Sequence, residues 1–388
     1  MTTVLFDTSD RNTLYPFTAI RPVAEIRTGI FTVRERWEQI MHLSSFTLTE
    51  DYLQAKFPSG SKEDQLYIDA KLIPSKKLAD SIISLAIGKG ITSSGRILAV
   101  RTAHQLSFGF SKDDCSSVEF LEWPEKVQLL QYPFQINQWN EEAIRNDFAQ
   151  VTSGRFSQPI STTNSVLSPE QIFIEEGAVV EHCILNASAG PIYIGKNSLL
   201  MEGSMIRGPF AALDDAVVKM GGKIYGATTV GRKCTVGGEI KNVMFFDYSN
   251  KAHDGYLGDA VIGEWCNVGA GASCSNIKNT AGEVKIWNQL LHQWISAGNK
   301  CGVMLGDYTK VAINSSLTTG LVSGICSNIL TTGLSAKYIA DFTWNIHTGE
   351  KYVIEKAIRD IDNWMQLKSK SFTDADRNIL QHLYINKP

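Results

Sequence analysis

Residues 194–237, IGKNSLLMEGSMIRGPFAALDDAVVKMGGKIYGATTVGRKCTVG, carry an apolar or small side chain at every sixth position: Ile194, Leu200, Ile206, Ala212, Val218, Ile224, Val230 and Val236. Three of these open an apolar-glycine pair: Ile194-Gly195, Val230-Gly231 and Val236-Gly237. A helix repeats its buried face about every 3.6 residues and a half-buried strand about every 2, so a period of six fits neither. It fits a parallel β-helix, in which each coil has three short flat faces and the sixth residue turns one side chain into a shared core. The pattern resumes two residues out of phase at Ile262-Gly263 and Val268-Gly269, then continues at Leu305-Gly306, Val311 and Leu317. A β-helix is therefore expected over residues 172–340.

Working outward, residues 1–150 read as an α/β domain. Val4 to Phe6 and Ile97 to Arg101 have strand character, and Arg34 to Leu43 and Pro74 to Ile87 have helix character. Residues 151–171, polar from Gln158 to Pro169, read as a linker. Residues 341–388 form a helical tail, with Ile354, Ile358, Ile361 and Met365 at helical spacing and a second helix from Asp374 to Leu383. The tail is expected to cover the last coil, whose open backbone edge would otherwise invite another chain.

Composition narrows the function. The 388 residues are 43% hydrophobic with a net charge of −3, and the basic residues form no runs, which argues against a nucleic-acid partner. No segment approaches the roughly 18 to 20 apolar residues of a membrane span. The first residues carry an acid and no long apolar stretch, so no secretion signal is expected. Seven cysteines lack the paired spacing of zinc or redox sites, and no metal site is expected from them. A reduced, cytoplasmic protein is the natural expectation.

Leu14-Tyr15-Pro16-Phe17-Thr18-Ala19-Ile20-Arg21-Pro22, following a strand, resembles the start of sugar-1-phosphate nucleotidyltransferases. In that family a glycine-rich loop after the first strand cradles nucleotide phosphates, because backbone N–H groups approach phosphate closely only where side chains are absent. Here the loop, Phe6 to Thr13, has no glycine and two carboxylates, with Thr13 and Val23 where an arginine and a lysine are expected. The resemblance implies nucleotide binding in which Arg11, Arg21 and Arg27 stand in for the missing cations. A nucleoside triphosphate and Mg²⁺ are implied only if this domain is active. It is short of the roughly 200 residues such domains use. A truncated domain that binds a ligand or only supports assembly stays open, and Arg21-Pro22 reads equally as structural.

A second resemblance lies in the coils. Glu239-Ile240-Lys241-Asn242, Lys251-Ala252-His253-Asp254-Gly255-Tyr256-Leu257-Gly258-Asp259-Ala260, Asn267-Val268-Gly269-Ala270-Gly271 and Cys274-Ser275-Asn276 resemble the acetyltransferase half of the family of bifunctional N-acetylglucosamine-1-phosphate uridyltransferase / glucosamine-1-phosphate acetyltransferases. The resemblance implies a left-handed β-helix of hexapeptide repeats. It also implies N-acetyl transfer from acetyl-CoA to a hexosamine 1-phosphate by a homotrimer with active sites between neighbouring coils. Such transfer needs an unprotonated amine and a base, and imidazole titrates near neutrality. By resemblance His253 is that base, Lys241, Tyr256 and Asn267 contact the sugar phosphate, and Lys223 stands where an arginine binds the phosphate. Asn276 positions the acetyl group or the acceptor amine.

The chain departs from the family in two places: Ile277 replaces a tyrosine, and residues 279–298 are an insertion. The insertion carries Trp287, His292 and Trp294, is expected to cover a neighbouring surface, and falls where acetyl-CoA would lie. Two alternatives remain: a sugar-1-phosphate nucleotidyltransferase using the β-helix as a trimer scaffold, and a non-catalytic sugar-nucleotide-binding relative.

Overall fold

The computed structural model describes residues 1–60 and 63–386. The period of six becomes three faces of parallel strands. The first face holds Ile184–Asn186, Met205–Arg207 and Lys223–Tyr225; the second holds Ile172–Ile174, Ile192–Ile194, Phe210–Ala212 and Thr228–Val230. On the third face, Val179–Val180, Leu199–Leu200, Val217–Val218 and Thr235–Val236 lead through Asn250–Lys251 and Asn267–Val268 to Lys310–Val311 and Asn328–Ile329. Glu239–Phe245 and Tyr256–Ile262 each run through a corner and serve both the first and second faces. From Ile192 to Val236 stacked strands pair residues 18 apart, as in Val218↔Val236, which is three hexads per coil.

The phase slip has a structural cause. Val236 pairs with Lys251, 15 residues on, and Asn250 pairs with Asn267, 17 on, so two shortened coils shift the frame. From Asn197 on, one corner carries a non-glycine residue of positive φ in each coil, between 54° and 65°, including Tyr248, Trp265, Tyr308, Cys326 and Phe342.

The N-terminal domain is a six-stranded mixed sheet. Thr2–Phe6 lies parallel to both Ser45–Leu48 and Gln65–Asp69; Arg96–Thr102 then pairs antiparallel, and Lys89–Ser93 and Glu119–Glu122 complete it. Helix Val33–Met41 starts in a capping box of Thr32 and Glu35. The second expected helix is shorter than its pattern, Lys76–Ile83, because Ser75 caps its start and Ile87 lies beyond it, exposed.

This domain lies along the second face of the coils. Outward-facing Met244, Val261, Met304 and Val322 join Leu14, Phe17, Val23 and Ile26 in one buried cluster, so the two parts share a core. Phe17 packs on Phe246 with ring centroids 5.3 Å apart. Across the joint, the Arg21 guanidinium makes a two-pronged bond to Asp307, 2.8 and 3.1 Å, and both side chains are buried.

Two expectations are corrected. The 279–298 insertion is an antiparallel hairpin, Lys285–Asn288 with Gln293–Ser296. It does cover a neighbouring surface, but that surface is the N-terminal domain. Val284, Ile286 and Ala297 enter the shared core, and the Asn288 side chain donates to the Thr13 carbonyl at 3.0 Å. The tail helices Ile354–Gln366 and Asp374–Asn386 do not lid the last coil; they cover the aromatic corner, with Trp265, Tyr308 and Phe342 in their core. A run of large apolar side chains at that corner offers far more burial than one coil end. The end of the spiral is met instead by Ile346, in the turn between Thr343–Asn345 and Glu350–Lys351.

Removing one partner of a buried ion pair leaves the other charge unpaired. Asp307→Ala should therefore cost about 3–5 kcal/mol in urea unfolding, and pairing Asp307→Leu with Arg21→Leu should recover most of it. A single-substitution loss within error of zero would refute this account of the joint.

Candidate active site

The sequence-predicted residues gather around one corner of the spiral, divided between its two flanks. On the first face, register stacks Lys223, Glu239 and Tyr256 in one column and Tyr225, Lys241 and Gly258 in the next. The Tyr225 hydroxyl donates to Glu239 at 2.6 Å, and the Lys241 ammonium sits 5.9 Å from the Tyr225 ring centroid. The Tyr256 hydroxyl donates to the Asn276 carboxamide oxygen at 3.3 Å. The Asn276 amide donates in turn to buried Asp259, which also receives Asn242 at 3.2 Å. Asn276 is thus fixed at both ends and half the pair with Tyr256. Burial pushes the Tyr256 phenol up to about 12, so it serves as a hydrogen-bonding group at neutral pH.

On the third face, His253 and Asn267 line a groove of about 480 Å³ together with Thr235, Asn250, Ile313 and Trp364. His253 is exposed, in the turn that carries the chain from the third face to the first. That turn is tight. Gly255 has φ +121°, and a Cβ there would lie 2.3 Å from the Ala272 carbonyl oxygen, so only glycine fits. The Asp254 carbonyl accepts from the Gly271 amide at 2.9 Å, tying the turn to the next coil. Lys223, Lys241, Tyr256 and Asn276 therefore face one flank, while His253 and Asn267 open on the other. Trp364 reaches the groove from the tail helix, and no sequence pattern singled it out. His292 lies in the insertion hairpin, against Trp287.

The three arginines assigned to nucleotide binding are committed to the fold. Buried Arg11 bonds Asp7 at 2.8 Å, Glu50 at 3.0 Å, and the carbonyls of Thr18 and Arg21 at 2.6 and 2.7 Å. Arg21 is held by Asp307, and Arg27 by the Ile30 carbonyl and by Glu35 at 3.2 Å. Arg21 and Arg27 do line a cavity of about 250 Å³ between the domains, but Glu25, Glu35, Asp247 and Glu264 line it too. These four carboxylates balance the four cations that line it, Arg21, Arg27, Lys56 and Arg232, and leave no excess positive charge for a phosphate.

A cluster missed by motif reading lies at the carboxyl ends of the parallel strands, where open α/β sheets place ligands. Asp10 meets the Lys71 ammonium and the Arg96 guanidinium, each at 3.0 Å, and Arg96 also pairs with fully buried Asp69. Burial alone would raise the Asp10 carboxyl, but Lys71 and Arg96 outweigh it and hold the group well below the usual carboxylate range. Burial pushes Lys71 down and Asp69 up. The signal was available: two aspartates and a lysine flank a buried strand end. As arranged, Lys71 and Arg96 take the places a divalent cation would need, so the residues do not fit Mg²⁺. Among the described residues no group of three or more His, Cys, Asp or Glu could hold a metal ion, and no helix is long and apolar enough to cross a membrane.

All seven cysteines are free and buried, four of them within the coil core. Burial pushes the Cys183 thiol up to about 11 and the Cys266 and Cys274 thiols up to about 12.

Comparison with known proteins adds the following. A family described as sugar nucleotidyl transferase matches residues 3–156. The bifunctional protein GlmU of Synechococcus elongatus is 25% identical over 181 residues, covering 45% of this chain and 35% of that protein. GlmU of Cyanothece sp. is 25% identical over 197 residues, covering 45% and 40%. GlmU of Gloeobacter violaceus is 37% identical over 101 residues, covering 25% and 22%. The chain thus spans well under half the length of these relatives. The solved polySia-specific acetyltransferase NeuO has a TM-score of 0.20 at 13% identity, covering 46% of this chain and 74% of that one. Residues 3–156 are thus similar to the sugar nucleotidyl transferase family, and the chain is similar to parts of GlmU proteins.

Asp10 gives a pH test. Its native pKa is depressed, so its contribution is present above the ordinary carboxylate range and lost as pH falls through and below it. The urea midpoint of Asp10→Asn should depend less on pH than wild type between roughly pH 5 and 3. Parallel curves for the two proteins would contradict this.

Proposed function

We propose that this protein transfers the acetyl group of acetyl-CoA to the amine of a hexosamine 1-phosphate, with His253 as general base. In this reading the amine nitrogen attacks the thioester carbonyl, His253 accepts the amine proton, and the carbon–sulfur bond breaks to release coenzyme A. The Lys223 and Lys241 ammoniums meet the sugar phosphate, and Tyr256 and Asn267 bond its hydroxyls. Asn276, steadied by Asp259 and Tyr256, orients the acetyl or amine group.

The observation that carries the reading is the exposed His253 at the corner between the two flanks. In one chain Lys241 and His253 open onto different faces, so a complete site calls for two copies. The second face is buried under the N-terminal domain and the tail reaches the third through Trp364 and Lys368, leaving the first face and the His253 edge of the third to meet a neighbour. Those free surfaces expose apolar residues, among them Ile184 at 49%, Met205 at 40% and Ile313 at 68%. A first face laid against a neighbour's third face is a heterologous contact, which closes into a cyclic trimer. Seven buried free thiols suit a cytoplasmic setting.

A second reading, nucleotidyl transfer by the N-terminal domain, is favoured by the family match over residues 3–156. Its expected product is pyrophosphate from UTP or dTTP with N-acetylglucosamine 1-phosphate, and no pyrophosphate release would remove it. Wild-type protein should release thiol from acetyl-CoA with glucosamine 1-phosphate, and His253→Ala should lower kcat at least about 100-fold. Light scattering should give three times the 42.9 kDa chain mass. Equal release by wild type and His253→Ala, or a monomer at micromolar concentration, would remove this reading.

A further inference from the structure

The interior of the spiral holds a charged residue that its own repeat does not explain. Phe245, Lys251 and Leu257 stand six apart, so the frame assigns the middle one to the core. Register agrees: on the third face Lys251 stacks on Val236, in a column whose other inward members are Val180, Leu200, Val218, Val268, Val311 and Ile329. Lys251 is 1% exposed. Burial pushes its ammonium down to about 8, with Asp254 opposing in part.

An ammonium inside an apolar column works against the coil, which a methionine or leucine of similar volume would serve better. What it reaches accounts for its presence. The Lys251 ammonium reaches forward two residues and donates to the backbone carbonyl of His253. That carbonyl lies in a slot with no room to spare, since a Cβ at Gly238 on the coil below would come within 2.7 Å of it. The His253 carbonyl is therefore gripped from inside the spiral while the imidazole projects into the groove outside.

We propose that Lys251 is a positioning residue for His253: its buried ammonium pins the His253 carbonyl and so fixes the tight turn that presents the imidazole to the groove. The proposal rests on the acetyl-transfer reading, but its geometry can be tested without turnover. Holding a catalytic group within a fraction of an ångström is worth about 10- to 100-fold when the holding residue is not itself in contact with substrate.

The test compares full-length wild type, His253→Ala and Lys251→Met. Lys251→Met should melt at or above the wild-type temperature, because an apolar side chain replaces a charged one in the core. Its kcat for thiol release should fall about tenfold or more with KM unchanged. Amide hydrogen exchange at residues 252–255 should quicken in Lys251→Met by a similar factor while the flanking strands stay protected. That measurement separates the two ideas: an inactive wild type whose turn still loosens in Lys251→Met would sink the acetyl-transfer reading and leave the pinning intact. Wild-type kcat in Lys251→Met, an unchanged exchange rate, or a coil that melts earlier than wild type would each overturn the proposal, the last because the lysine would then serve the spiral itself.

Discussion

Every coil of this protein must turn side chains inward from each of three faces into one narrow shared core. That constraint sets the period of six, and most other features follow from it. Because the core is a stack, each inward position is felt by the coils above and below, and the large majority are filled by Val, Ile, Leu, Ala or Cys. Four cysteines sit there as small apolar groups, their thiols pushed up by burial. A position that breaks the rule, as Lys251 does, calls for a reason outside the core.

The three outer faces are then free to do different work. The second is covered along its length by the N-terminal domain, through Phe173 and Tyr193 at one end and Met304 and Val322 at the other. The aromatic corner beside it is covered by the tail, where Tyr52 of the N-terminal domain also stacks on His382 at 4.5 Å. What remains open is the corner carrying His253, the first face and the part of the third face beyond the reach of the tail. The N-terminal domain thereby acts as a wall that closes one side of the prism.

The same packing changes what the arginines do. Arg21 belongs to a stretch that resembles a phosphate-binding start, yet its guanidinium closes on Asp307 of the coils inside a largely apolar joint. A buried pair of this kind adds little net stability but strongly fixes geometry, since either charge alone would be costly. Arg11 likewise spends its donors on its own loop. At the strand ends Lys71 and Arg96 neutralise Asp10 and Asp69 from within. In place of a bare glycine-rich cradle, the domain has an internally satisfied salt-bridge cluster.

The sequence alone determined the architecture, because a repeat of six states which residue of each hexad faces inward and needs no distant partner to do so. It also singled out His253, Lys241, Tyr256, Asn267 and Asn276, and the fold places these along neighbouring coils on the two flanks of one corner. Other features depend on residues far apart in the chain, and only the tertiary structure decided them. Asp307 stands 286 positions from Arg21, and Asn288 stands 275 from the Thr13 carbonyl it binds. Local patterning gives no hint of either partner, so the fate of the arginines, the docking of the insertion and the course of the tail became visible only in three dimensions. Lys251 falls between the two cases: the hexad frame places it inside, but only the folded turn brings its ammonium to the carbonyl of His253.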